Sequence, residues 1–149
     1  MGIVSPVGST LDDAWRNVYE GNSGTVVVDE FDTSTYPTRI AGLVQGFDVD
    51  AYLAKKDQRK NDPFIHYSVG ASVDAIRDSG LEITEENGHR IGVALGAGIG
   101  GIQTIEDNLK KMFEGGVRKV SPFFIPGSII NMASGQVSIL QHITGPNIS

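Results

Sequence analysis

Arg90-Ile91-Gly92-Val93-Ala94-Leu95-Gly96-Ala97-Gly98-Ile99-Gly100-Gly101 is the stretch whose reading decides the fold. Ile91 to Ala97 is a run of small and apolar residues without a charge, the pattern of a strand buried on both faces. Glycines at 96, 98, 100 and 101 follow, and an amphipathic helix opens at Ile102. Strand, glycine turn and helix together place a ligand site at the carboxyl end of a sheet. Gly96-x-Gly98-x-x-Gly101 also matches the dinucleotide-binding fingerprint letter for letter. That fingerprint needs a second parallel strand soon after the helix, ending in an acidic residue about 20 positions on. Here the helix ends near Gly115-Gly116 and a basic, proline-bounded loop follows, so a Rossmann unit is the weaker reading. The plain alternative is that the glycines let helix and strand approach closely.

Composition narrows the remaining choices. The chain has 149 residues, 40% of them hydrophobic and 20% charged, enough for one domain with a core. A net charge of −6 argues against a nucleic-acid partner, which would need a basic surplus. With no cysteine there is neither a disulfide framework nor a thiolate metal site. His66, His89 and His142 lie far apart without ligand spacing, so no metal is expected. No run of 18 apolar residues is present, and a soluble cytoplasmic protein without membrane insertion is the expectation.

Working outward from the central stretch, Ser9-x-x-Asp12 reads as a helix start, with Leu11, Trp15 and Val18 on one face and Gly21 as the stop. Thr25 to Val28 is strand-like, and Phe31 to Pro37 is loop chemistry. Lys55 to Lys60 is the one strongly charged block, four positive side chains against one negative. Asp62-Pro63 caps a helix whose apolar positions are Ile65, Val69, Val73 and Ile76. Gly70, Ala71 and Ala75 make it thin enough for close packing, and Gly80 ends it. Thr84 to Asn87 is a short helical turn. Past the glycines, Ile102, Ile105, Leu109 and Met112 form a second stripe, with a Glu106–Lys110 pair outside it. Ser121-Pro122-Phe123-Phe124-Ile125-Pro126 holds two aromatics between prolines, which predicts neither a helix interior nor a strand. Ile129, Ala133, Val137 and Leu140 mark a last helix, broken by Gly145-Pro146, and Asn147-Ile148-Ser149 begins another strand.

Five motifs in this order carry a resemblance: Phe31-Asp32-Thr33-Ser34, Arg59-Lys60, Asp78-Ser79-Gly80-Leu81, Gly98-Ile99-Gly100-Gly101 and Ser121 to Pro126. The chain resembles the amino-terminal part of the elongating β-ketoacyl-acyl carrier protein synthases, from Val4-Ser5-Pro6-Val7-Gly8 to Gly145-Pro146-Asn147-Ile148-Ser149. Ile99 and the Phe123-Phe124 pair are similar to the type II branch, whereas Gly127 departs from the small hydroxyl residue that the family pattern places there. The resemblance implies a thiolase-like α/β fold, of which residues 1–149 would be an incomplete layered α/β/α half with its central strand near 91–97. It implies decarboxylative Claisen condensation of an acyl-enzyme with malonyl-acyl carrier protein, without a cofactor. The family's nucleophilic cysteine would follow Ser149, and its two histidines and lysine later still. The chain is therefore expected to stop before the nucleophile, to carry no catalytic residue and to be inactive alone.

Binding residues do fall within these motifs. By resemblance Ile99 would line the acyl pocket, and Phe124 and Ile125 would close the pocket of the partner subunit in a homodimer. Lys56, Arg59, Lys60, Arg118 and Lys119 would receive the acidic acyl carrier protein. The residues agree in kind: an acyl tail needs a dry apolar lining, and clustered positive charge on an acidic chain steers an acidic partner. Six of the twelve Lys and Arg residues lie in 55–60 and 118–119. The competing reading is a non-catalytic binding or dimerising domain, in which the apolar residues are core and the charges a solvated face.

Overall fold

The computed structural model describes residues 1–149. Helix α1 (Leu11–Glu20) starts from Thr10, whose side chain accepts from the Asp13 N–H, and ends on Gly21 at φ 74°. The cap is thus one residue past the expected Ser9, whose hydroxyl donates to the Gln45 carbonyl instead. The stripe of Leu11, Trp15 and Val18 faces outward, with Trp15 69% exposed. The inner face is Ala14 together with Asn17, whose amide donates to the Val7 carbonyl at 2.7 Å. The period of the helix was legible; the side that it buries lies about a quarter turn away from the Leu11–Trp15–Val18 stripe.

Strand β1 (Thr25–Val27) pairs antiparallel with β2 (Ile40–Gly42), Val26 opposite Ala41. No sequence pattern announced β2, because three residues cannot show an alternation. The charged block forms α2 (Lys55–Gln58), one turn long. Helix α3 (Pro63–Ser79) follows its expected bounds, capped by Asp62 and stopped by Gly80 at φ 66°. Ile65 and Val69 are fully buried, each stabilising the fold by roughly 1.5–3 kcal/mol. Gly70 lets the Phe47 ring lie on the helix, since a Cβ there would meet the ring at 2.6 Å. Phe47 in turn stacks on Tyr52. The Thr84–Asn87 turn is present, closed by Asn87 N–H on the Thr84 carbonyl.

Strand β3 is only Val93–Ala94, shorter than the expected 91–97, and it is buried on one face. Val93 is buried while Gly92, Ala94 and Gly96 are exposed, so small residues mark a face that nothing in this chain covers. Helix α4 (Ile102–Gly115) rotates its expected stripe: Ile102 is 60% exposed, and the one buried residue is Asn108. Glu106 and Lys110 pair at 2.6 Å as expected.

Phe124–Ser128 is a helix, α5, which corrects the expectation of a non-helical segment. Pro126 fits because it stands in the first turn, where the missing N–H has no intrahelical partner to lose. Helix α6 (Met132–Leu140) buries Ala133 and Val137, while Ile129 precedes it and stays 40% exposed. The helix ends before Gly145-Pro146, at Gln141 and His142, the latter with φ 54°.

Strand β4 (Asn147–Ile148) lies parallel to β3, with Val93 opposite Asn147 and Ala94 opposite Ile148. Gly145 is required beside it, because its N–H donates to the Ile91 carbonyl and a Cβ would collide with that peptide. α3 packs on α6, and α6 touches both β3 and β4. Leu53, Ile65, Val69, Val93, Val137 and Ile143 form the core at this junction.

Candidate functional site

The centre of the candidate region is a buried carboxylate. Asp62 is 5% exposed. One of its oxygens accepts from the Phe64 N–H at the start of α3, and the other accepts from Thr104 N–H at 2.9 Å in the first turn of α4. Its own N–H donates to the Gly127 carbonyl of α5. One residue therefore fixes three helix ends relative to one another, and its negative charge sits where the α3 and α4 dipoles favour it. Sequence alone showed the α3 cap and not the α4 one, which spans 42 positions.

The glycine turn closes on the same point. Gly101 N–H donates to the Ser128 carbonyl, and a Cβ on Gly101 would meet Ser128 Cα at 2.6 Å. Gly100 adopts φ 80°, and a Cβ there would meet the Ser128 carbonyl oxygen at 2.7 Å. These two glycines serve close packing, while Gly96 and Gly98 face open space. Gly127, the departure from the family pattern, has the same cause. A Cβ there would stand 2.5 Å from the Lys60 carbonyl.

Asp62 and Gly127 together hold the Arg59–Lys60 end of α2 beside α4. A cleft of about 140 Å³ opens there, with Arg59, Lys60, Asp107, Lys111 and Ser121 among its lining. Lys111 also lines a second, shallower cavity with Glu114 and Lys119. Lys111 thereby joins the two basic segments, which lie far apart in sequence, into one face. Lys56 and Arg118 are exposed and line neither cavity. Lys60 donates to Asp57 at 2.9 Å and stands 5.6 Å over the Phe123 ring. That hydrogen bond holds the Asp57 carboxyl below the usual carboxylate range. Lys111 was not among the residues singled out from sequence. Its signal was polar periodicity: Thr104, Asp107, Asn108 and Lys111 follow helical spacing on one side of α4.

The apolar candidates are placed differently. Ile99 stands 70% exposed in the glycine turn, Ile125 is 57% exposed on α5, and Phe124 is half-buried. None of the five principal cavities is lined by any of the three. Among the histidines, His66 is structural, its Nε2 lying 3.1 Å from the Gln58 carbonyl. Burial lowers its pKa below 6.5, partly offset by that carbonyl. No cluster of three or more His, Cys, Asp or Glu residues is arranged to hold a metal, and no helix is long and apolar enough to cross a membrane. The second parallel strand needed for a dinucleotide site arrives only as Asn147–Ile148, without an acidic residue.

Comparison with known proteins gives one consistent picture. A family model described as "Beta-ketoacyl synthase, N-terminal domain" matches residues 1–149. The chain is 51% identical over 149 residues to 3-oxoacyl-[acyl-carrier-protein] synthase 2 of Vibrio cholerae, covering all of this chain and 36% of that protein. Its identity to the protein of the same name from Coxiella burnetii is 48% over the same span. The chain thus spans about a third of the length of these relatives. Among solved structures, a β-ketoacyl synthase from Burkholderia phymatum superposes with a TM-score of 0.78 at 23% identity, over 97% of this chain and 36% of that one. A type II PKS ketosynthase in complex with its acyl-carrier protein superposes with a TM-score of 0.77 at 23% identity, over 96% and 37%. These superpositions establish the fold as the thiolase-like α/β fold of the ketosynthases.

Proposed function

Because this chain belongs to the β-ketoacyl synthase family, as its N-terminal domain, we propose that the protein it is part of elongates fatty acyl chains. The reaction is decarboxylative condensation. An acyl group passes from carrier protein to an enzyme cysteine, malonyl-carrier protein loses carbon dioxide, and the resulting carbanion displaces the cysteine thiolate from the thioester. The observation that carries this reading is the end-to-end match to relatives named for that synthesis. The chain contains no cysteine, so the nucleophile belongs to sequence outside residues 1–149, and these residues supply binding surfaces.

On this reading Arg59, Lys60 and Lys119, joined by Lys111, receive the acidic carrier protein, with Lys56 and Arg118 flanking them. Ile99 lines the acyl pocket, while Phe124 and Ile125 close the pocket of the second subunit of a cytoplasmic homodimer. The exposure of Ile99 and Ile125 supports those roles, because apolar side chains so placed need cover from elsewhere. Stopped-flow association of the full-length protein with acyl carrier protein tests the surface. Reversing charge at Arg59, Lys60 and Lys119 slows association at low salt, and the difference fades near 1 M, where the Debye length is about 3 Å. Unchanged low-salt rates would reduce the basic face to a solvated surface.

A further inference from the structure

The cleft between α2 and α4 has the chemistry of a site in its own right. Its lining brings Arg59, Lys60 and Lys111 against a single carboxylate, Asp107, on a chain whose net charge is −6. Lys60 is engaged by Asp57, but Arg59 and Lys111 have no ion-pair partner within 4.0 Å. The floor is fixed. Asn108, 5% exposed, donates to the Thr104 carbonyl and accepts from the Ser121 N–H, both at 2.8 Å. That leaves the Ser121 hydroxyl, which accepts from the Phe123 N–H, with its own hydrogen free to donate. At about 140 Å³ the cleft is well below the roughly 300–1,000 Å³ of sites for drug-sized ligands.

We propose that this cleft binds a small phosphate-type oxyanion, held between the Arg59 guanidinium and the Lys111 ammonium, with the Ser121 hydroxyl as a third donor. Charge-assisted bonds from Arg and Lys are the strong class for such oxyanions, and the planar guanidinium offers paired N–H groups to two oxygens. The proposal goes beyond carrier-protein docking, since the cleft takes its anion whether or not a carrier approaches. Sharing Arg59, Lys60 and Lys111 with the proposed carrier surface has a consequence: bound phosphate opposes an acidic partner.

Inorganic phosphate titrated into the full-length protein tests this, with ionic strength held constant by chloride and binding read from ³¹P line broadening. Saturable broadening is expected, weakened roughly tenfold by Arg59→Ala or Lys111→Ala, the loss of about one charge-assisted hydrogen bond, and retained by Lys111→Arg. Asp107→Asn tightens binding by removing the one opposing charge, a gain that misfolding cannot mimic. Broadening that never saturates, or saturable binding indifferent to both Lys111→Ala and Asp107→Asn, overturns the proposal.

Discussion

Asp62 shows how much one side chain can organise. Each helix cap is worth about 0.5–2 kcal/mol, so Asp62→Ala, which uncaps α3 and α4 together, should cost about 1–4 kcal/mol in urea denaturation of the full-length protein. A loss within ordinary surface scatter, about 0.5 kcal/mol, would mean that the α4 contact contributes nothing. Ile99 is the residue on which chain-length selection should turn. On the proposed reading, in which Ile99 lines the acyl pocket, Ile99→Phe adds volume to that pocket and touches no reacting group. Turnover of long acyl donors should fall while short ones are spared; equal loss on both would make Ile99 a packing residue. Residues like Asp62 and Lys111 were only partly legible in the sequence, because their partners are 42 positions away across the fold or in another element. Local caps, in contrast, were plain: Gly21 and Gly80 end their helices as read.

Among the elements, the long α3 was legible throughout, because its apolar positions and its Asp-Pro start agree with each other. α1 and α4 show the limit of the same reasoning. Periodicity located their stripes, but the rule that apolar faces turn inward failed at Trp15 and Ile102. Their buried faces are instead held by polar hydrogen bonds: Asn17 donates to the Val7 carbonyl, and Asn108 accepts from the Ser121 N–H. α5 is hard to read from sequence because prolines bounding two aromatics argue against a helix interior, yet Pro126 stands in a first turn, where its missing N–H loses no bond. The α2–α3 junction carries a pH dependence. His66 ties α3 to the Gln58 carbonyl, and burial holds its folded-state pKa below 6.5. As pH falls below 6.5 the unfolded chain takes the proton first, so stability present above that value is lost toward the lower folded pKa. Urea midpoints measured from neutral pH to pH 5 should therefore decline less in His66→Gln than in the parent; parallel declines would remove His66 as the cause.

At the scale of the whole molecule, only 16 of 149 residues are buried, so the chain's apolar faces exceed what it can cover itself. Trp15, Phe113 and Ile99 are each at least 69% exposed, and the small-residue face of β3 is bare. On the proposed reading, the rest of the protein or a second subunit covers these side chains; the chain itself spans about a third of its relatives' length. The fold class was legible here because five motifs recur in order; the two-residue strands and the direction of each apolar face were not, because both depend on tertiary contacts between segments far apart in sequence. The most direct test of the account is condensation itself. Full-length protein supplied with acyl- and malonyl-carrier proteins should release carbon dioxide and form the 3-oxoacyl product two carbons longer. Residues 1–149 alone, which hold no cysteine, should form neither product nor acyl-enzyme. A full-length protein that leaves both carriers unreacted, or an isolated chain that becomes acylated, would contradict it.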